Sequence, residues 1–334
     1  MRVTYISWAP HCSRSDYTAR ELGGTSHMVY WEWLGSHPAT VWLKYLGQTA
    51  GTWRLLIREH PDAVFVMAPP PFAIVAVYVY AFIRRIPFVI DAHSGMLLSK
   101  RWRLFRRLQY WLCRRAATTI VTNEHLAELV RDQGGAATIV PDVPIEYDGE
   151  PSPQPPLAGF VVACVTSFGR DEPVAAMVEA ARRLPHVRFV MTGNPRHGAR
   201  VLPDELPPNL TLTGFLATPA YGALLRQAGV VMALTTDQHT MLRAGYEAIY
   251  HGTPVIVSDT DVLRTAFDEG ALHVDNSPDA IVTAVLQVLE DPVAFRQAAG
   301  RLRTRKGERW LGTKAALLAA LARGTSASDR TATG

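Results

Sequence analysis

The stretch VVMALTTDQHTMLRAGYEAIYHGTPVIVSD, residues 230–259, holds a β-branched run, a polar loop, a helical segment and a second β-branched run, PVIVS at 254–258. Two apolar runs of strand length joined through a helix read as a βαβ unit, and such units build a parallel sheet covered by helices. The same rhythm extends outward from it. FVVACV (160–165), VRFVM (187–191) and LTLTG (210–214) precede it, and ALHV (271–274) follows. The first half repeats the pattern through VTYIS (3–7), HMVY (27–30), AVFVM (63–67), PFVI (87–90), TTIV (118–121) and ATIV (137–140). Each half is expected to form a doubly wound, Rossmann-like α/β domain with ligands beyond the carboxyl ends of its strands, the two domains facing a cleft.

The chain has 334 residues, which at ~150 residues per domain also predicts two domains. PDVPIEYDGEPSPQPP (141–156), rich in proline and acid, reads as the linker. The expected boundaries are 1–150 and 151–325, with a small, polar and disordered tail at 326–334. Hydrophobic residues at 48% and charged residues at 19%, with a mean hydropathy of +0.03, exclude a disordered chain and a polytopic membrane protein. A net charge of +4 carries no nucleic-acid signal, and no nucleic-acid partner is expected. Cys12, Cys113 and Cys164 form no CxxC pair, so neither a disulfide framework nor a zinc site is read, and the cytoplasm is the expected compartment. The start MRVTYISWAP shows no secretion signal. Val64 to Ile83 runs about 20 residues without a charge, the length of a membrane span, but Pro69, Pro70 and Pro71 cannot continue a helix. A strand, a proline turn and a short buried helix at 72–83 are expected instead.

The polar loop of 230–259 leads into a helix expected near Thr240, whose free amides suit a diphosphate, with Glu247 two turns in. A carboxylate there is either a double acceptor for vicinal ribose hydroxyls or an exposed structural residue. In VTSFGRDEP (165–173), Arg170 has the forked guanidinium that suits a diphosphate, while Asp171 and Glu172 read as a helix cap and first-turn charge ahead of Pro173. PFVIDAHSG (87–95) ends a strand with Asp91 and His93, positioned to orient a hydroxyl or to satisfy the loop. Arg14 and Ser15 follow the first strand and are acceptor-side candidates. SKRWRLFRRLQYWLCRRAA (99–117) reads as one helix with Leu104, Phe105, Leu108, Trp111 and Leu112 on a single face among seven cations and no acid. That helix is an anchor on an anionic membrane surface, scaffolding that packs its stripe inward, or, as a third option, a nucleic-acid patch.

The 239–259 stretch resembles the GT-B glycosyltransferases of the family 4 (group 1) type, which carry two glutamates separated by seven residues ahead of A-x-x-x-G-x-P-V-I. Glu247, Ala248, Gly252, Pro254, Val255 and Ile256 match that pattern, and His239 stands at the first glutamate. The resemblance implies that Glu247 holds the nucleotide ribose, with His239 near the transferred sugar and Thr240, Met241 and Arg243 on the donor side. Gly169 and Arg170 match the family's G-R turn, with Ser167 beside them, while Asp171 and Glu172 replace a lysine that usually follows. MTGNP (191–195) and LTGF (212–215) fall at the next two donor loops, which brings in Gly193, Asn194 and Phe215. His93 and Asp91 fall in a segment that many such enzymes place by the reacting sugar. The implied function is a hexosyltransferase that retains anomeric configuration and moves a sugar from a UDP- or GDP-linked donor. Its acceptor is expected to be lipid-linked or polysaccharide, in cell-surface or extracellular polysaccharide synthesis at the inner face of the plasma membrane, with no metal and no cofactor. Two alternatives stay open: a sugar-nucleotide epimerase using His239 and His93, and a noncatalytic GT-B partner subunit.

Overall fold

The computed structural model describes residues 1–31, 40–147, 159–198 and 201–330. The first sheet is built from β1 (Val3–Ser7), β2 (Thr25–Met28), β3 (Ala63–Ala68), β4 (Phe88–Ala92), β5 (Thr118–Val121) and β6 (Ala137–Ile139), all parallel, in the order β2-β1-β3-β4-β5-β6. Around it run α1 (Ser13–Glu21), α2 (Val41–Glu59), α3 (Pro71–Arg84), α4 (Ser94–Leu98), α5 (Arg106–Cys113) and α6 (Glu124–Arg131). The second sheet holds β7 (Val161–Cys164), β8 (Arg188–Thr192), β9 (Leu210–Gly214), β10 (Val230–Ala233), β11 (Val255–Ser258) and β12 (Ala271–Val274), also parallel, in the order β12-β11-β10-β7-β8-β9. Its helices are α7 (Val174–Arg183), α8 (Pro195–Gly198), α9 (Thr218–Gln227), α10 (Arg243–Tyr250), α11 (Asp261–Ala266), α12 (Pro278–Glu290) and α13 (Pro292–Arg330).

Eleven of the twelve runs coincide with strands to within a residue or two at the ends, while β2 starts at Thr25, two residues before the expected HMVY, and ends at Met28, because the chain leaves the β1 ladder there. The inner strands β3, β7 and β10 are buried along their whole length, as parallel strands covered on both faces must be, which is why they read as continuous apolar runs. Strand order reverses between β1 and β3 in one sheet and between β7 and β10 in the other, the point where doubly wound sheets open a crevice for ligands. In α3, Pro71 occupies the first turn and Arg85 closes the helix in the left-handed region at φ 55°. Among the described residues no helix is long and apolar enough to cross a membrane.

The chain divides into two units, Met1–Val143 with Arg309–Gly334, and Pro144–Glu308. The C-terminal part of α13 thus leaves the second domain, expected to reach 325, because Trp310, Leu317 and Leu321 are buried and the Trp310 indole donates to Glu21 of α1 at 2.7 Å. The expected tail from 326 is helical as far as Arg330, since adding residues to a docked helix avoids the cost of a new nucleus, and 331–334 lie outside the described residues.

The expected linker also differs. Val143, Ile145 and Tyr147 are buried, so PDVPIEY is an extended, packed segment, and 148–158 lie outside the described residues. The expected helix over 99–117 is two pieces, a 3-10 turn at Lys100–Phe105 capped by the Ser99 hydroxyl, and α5. Three residues per turn in the first piece rotates its side chains out of phase with the 3.6-residue second piece. Leu112 is buried and Leu108 and Trp111 pack on the core, while Leu104 is 91% exposed.

Candidate functional site

At the reversal point of the second sheet the loops leaving β7 and β10 are stitched together. The Asp171 carbonyl accepts from Thr236 N at 2.7 Å and Thr236 Oγ1 at 3.1 Å, and the Asp171 carboxylate accepts from Thr235 Oγ1 at 2.8 Å. Thr166 Oγ1 donates to Thr192 O at 2.7 Å and Gly193 N donates to Gly214 O at 3.1 Å, so the loops after β8 and β9 join the same rim. This rim carries Ser167, Gly169, Arg170, Gly193, Asn194, Phe215 and His239. Gly193 is required there twice over: its φ is +118°, and a Cβ would lie 2.6 Å from Thr166 O and 2.8 Å from the Phe168 ring. Asn194 accepts from Arg196 N at 3.0 Å, Phe215 is 80% exposed, and His239 N donates to Asp237 Oδ1 at 3.1 Å.

Asp171 and Glu172 do not cap α7, whose N-cap is Pro173 without a side-chain bond. Asp171 is the stitch to the β10 loop. The Glu172 carboxylate turns back and accepts from Ser167 N at 3.0 Å, Ser167 Oγ at 2.9 Å and Gly169 N at 3.0 Å. Arg170 is exposed, and no hydrogen bond or ion pair engages it among the described residues.

The helix expected near Thr240 begins three residues later, at Arg243, after Leu242 as an N-cap without a side-chain bond, so Glu247 lies about one turn in and not two. Thr240 and Met241 are half-buried in the loop before it. Glu247 is 5% exposed, not a solvent-facing glutamate. Its Oε1 accepts from Tyr147 OH at 2.6 Å and Arg243 Nε at 2.9 Å, and its Oε2 from Tyr221 OH at 2.6 Å. A carboxylate offers about four acceptor positions, so three donors leave room for one further hydroxyl unless a tyrosine yields. Burial, together with the Glu247 charge, pushes the Tyr221 phenol well above its ordinary value. His251 completes the group: its Nε2 accepts from Tyr147 N at 3.3 Å, its Nδ1 donates to Glu247 O at 2.7 Å, and its ring stacks on Tyr147 at 5.3 Å.

In the first unit the residues read as catalytic and acceptor-side are brought together in the interior. Asp91, 1% exposed on β4, accepts from the Tyr5 hydroxyl and from Arg14 Nε at 3.0 Å. Arg14, 7% exposed, spends its other nitrogens on Val140 O at 2.9 Å and Pro141 O at 3.3 Å, with Asp142 at 3.8 Å. Burial pushes the Asp91 pKa up, but Arg14, a smaller contribution from His93, and the donated bonds outweigh it and hold the carboxyl below its ordinary value. The Arg14 pKa is raised, since the charges of Asp91 and Asp142 outweigh its burial. Ser15 is fully buried against Ser7 Oγ at 2.6 Å. Asp91, Arg14 and Ser15 therefore lock β1, α1, β4 and the end of the sheet, and an ion pair this enclosed has no face for an acceptor. His93, half-buried, precedes α4, and its N donates to Ala68 O at 2.9 Å.

Asp259 and Asp261 stand in D-x-D order, yet Asp259 is paired with Arg264, Thr260 caps α11 and Asp261 sits in its first turn. Among the described residues no group of three or more His, Cys, Asp or Glu is placed to hold a metal ion. Burial pushes the Cys113 and Cys164 thiols up to about 11 and about 12, away from nucleophilic use. Sequence reading missed Tyr147, Tyr221, His251 and the inward turn of Glu172. The alternation Val143, Ile145, Tyr147 was the available signal for the first, since period 2 marks an extended segment with one buried face.

The sequence model described as Glycosyltransferase Family 4 matches residues 3–142, and that of Glycosyl transferases group 1 matches 159–291. No curated protein matches the chain in sequence. Among solved structures, Anabaena Alr3699/HepE in complex with UDP-glucose is similar at TM-score 0.70 and 14% identity, over 97% of this chain and 100% of that one. Sucrose-phosphate synthase (tll1590) from Thermosynechococcus elongatus is similar at TM-score 0.72 and 14% identity, over 98% and 99%. A Listeria monocytogenes protein described as a UDP-N-acetylglucosamine 2-epimerase is similar at TM-score 0.60 and 14% identity, over 90% of each chain. At such identities these neighbours speak to the fold alone, which is shared by transferases and an epimerase, and it is the two family models that separate them. With its two parallel six-stranded sheets and both halves matched in order, the chain belongs to the family 4, group 1 type of GT-B glycosyltransferases.

Proposed function

We propose that this glycosyltransferase takes a sugar from a UDP- or GDP-linked donor bound by the unit Pro144–Glu308 and passes it to a lipid-linked or polysaccharide acceptor. The observation that carries the reading is the rim at the β7–β10 reversal, where convergent amides, the exposed Arg170 and His239 share stitched loops and α10 brings in the buried Glu247. In this reading Glu247 accepts from the ribose, Arg170 and loop amides hold the diphosphate, and His239 stands by the sugar. The reaction breaks the bond from the anomeric carbon to the distal phosphate oxygen, which keeps the electron pair. The acceptor oxygen forms the new bond, with retention of configuration, and its proton leaves to the departing diphosphate. Countercharge from Arg170 and amide donors supports that leaving group without a metal.

Membrane contact belongs to the first unit. Leu104, Trp42, Leu43 and Leu46 are more than half exposed, and Trp42, Phe72 and Phe105 form a chain of ring contacts at 5.4 and 5.1 Å. Lys100, Arg101, Arg103 and Arg107, all exposed, neighbour Leu104 and Phe105 in the chain. Exposed aromatic and leucine side chains with exposed cations next to them in the chain suit an anionic lipid surface, which fits a cytoplasmic enzyme at the inner face of the membrane.

A thermal-shift panel of UDP-, GDP- and dTDP-sugars tests the donor, because a ligand of the native state alone raises its melting temperature. A shift selective for UDP or GDP compounds is expected, and no shift from any of them overturns the donor reading. His239, where the family carries its first glutamate, favours one second reading, a noncatalytic partner subunit. Nucleotide binding without hydrolysis or transfer across an acceptor panel would identify that case.

A further inference from the structure

Three donors converge on one point in the loop after β7: Ser167 N, Ser167 Oγ and Gly169 N, each 2.9 to 3.0 Å from the Glu172 carboxylate. Two amides aimed at one spot across a left-handed residue make an anion-binding concavity, and Phe168 between them has φ +58°. The left-handed conformation of a phenylalanine is strained and persists only when its surroundings hold it. They do so from the far side of the loop. The Phe168 ring is buried in the core of the second unit, against the Gly193 and Gly198 backbone, where a Cβ would lie within 2.8 and 3.1 Å of the ring. Thr166, just before, is tied to Thr192 O at 2.7 Å, and Asp171, just after, to the β10 loop. The concavity is therefore set by core packing and by neighbouring strands, not by the carboxylate that fills it.

Two features set Glu172 apart from an ordinary latch. It is acidic at the reversal point of the sheet, where the fold aims amides at a ligand, and its neighbour Arg170 is exposed and unpaired among the described residues although two residues away. The cation is thus held in reserve while the amides are spent on an internal anion. We propose that Ser167 and Gly169 form the seat for the distal phosphate of the nucleoside diphosphate, and that Glu172 is a built-in competitor that fills this seat until a donor displaces it. The inference rests on the nucleotide-sugar reading and adds regulation of that same site. A phosphate group brings three acceptor oxygens to the same donors and recruits Arg170, while like charge expels Glu172. Apparent donor affinity is then lowered by the fraction of molecules in which Glu172 is seated.

The experiment is titration calorimetry of wild type, Glu172→Ala, Glu172→Gln and Ser167→Ala with inorganic pyrophosphate, UDP and GDP, with the melting temperature recorded for each. The seat predicts that Glu172→Ala binds pyrophosphate and one nucleotide roughly tenfold tighter, as removal of an occupant present nine times in ten requires, with Glu172→Gln between it and wild type. Ser167→Ala is expected to weaken both ligands. Binding to Glu172→Ala that is equal to or weaker than wild type overturns the proposal and makes Glu172 a structural latch, while nucleotide binding by wild type still supports the donor reading. Tighter pyrophosphate binding with no nucleotide bound by any form keeps the anion seat and removes the donor reading. No binding of any probe to any form removes both.

Discussion

Glu247 was legible as a candidate because a glutamate eight residues after His239 and followed by A-x-x-x-G-x-P-V-I is specific in order and spacing. Its environment was not legible, since Tyr147 and Tyr221 arrive from 100 and 26 residues away. Glu247→Gln keeps the shape but leaves one acceptor oxygen for three donors. Bonds to a charged partner contribute about 1.5–3 kcal/mol, so nucleotide-sugar binding by calorimetry is expected to weaken at least about tenfold. Unchanged affinity would remove Glu247 from the site. Arg14, Ser15 and Asp91 show the opposite outcome: polar residues after strands look alike in sequence whether they face a ligand or each other, and here burial turned them inward.

The segment 99–117 shows at the level of elements why a periodic stripe does not identify its partner. Its apolar residues divide between the core and the surface because the 3-10 turn and α5 run at different periods. Leu104→Asp removes the most exposed apolar residue of that surface without touching the core, so it is expected to reduce sedimentation with phosphatidylglycerol vesicles at low salt and to leave the melting temperature unchanged. Wild-type protein that ignores such vesicles would end the membrane reading. For α13, the Trp310 indole packs inside the first unit and donates to Glu21. Trp310→Ala is expected to cost about 3–5 kcal/mol in the stability of that unit, measured by urea denaturation, whereas a merely surface helix would lose almost none.

At the scale of the molecule, two units with separate cores are expected to respond to acid at different pH. In Pro144–Glu308, burial lowers the pKa of His251 and of His273, so their neutral forms stabilise the fold above about pH 6.5 and that contribution is lost as the pH falls below it. In the first unit the depressed pKa of Asp91 contributes above about pH 4 and is lost only below that. All eight tryptophans lie in residues 1–143 and 309–334, so their fluorescence follows the first unit alone, while far-ultraviolet dichroism follows both. Between pH 7.5 and 5.5 the dichroism melt is expected to fall by several degrees while the tryptophan melt holds, and coincident shifts would refute the assignment.

The amino-acid sequence by itself determined eleven of the strands and the neighbourhood of the twelfth, their grouping into two sheets, the helix α3 after the proline turn, whose end at Phe82 and Ile83 is exposed and not buried as expected, and the transferase family. Those features rest on local apolar runs, on proline geometry and on motif order, all of which act over a few residues or one βαβ unit. Only the tertiary structure decided that PDVPIEY delivers Tyr147 to Glu247, that the end of α13 belongs with the first unit, and that Glu172 sits among its own loop amides. The reason is physical. Whether a polar side chain meets water, a ligand or another side chain depends on desolvation and on donors brought from distant parts of the chain, and neither quantity is written in local spacing.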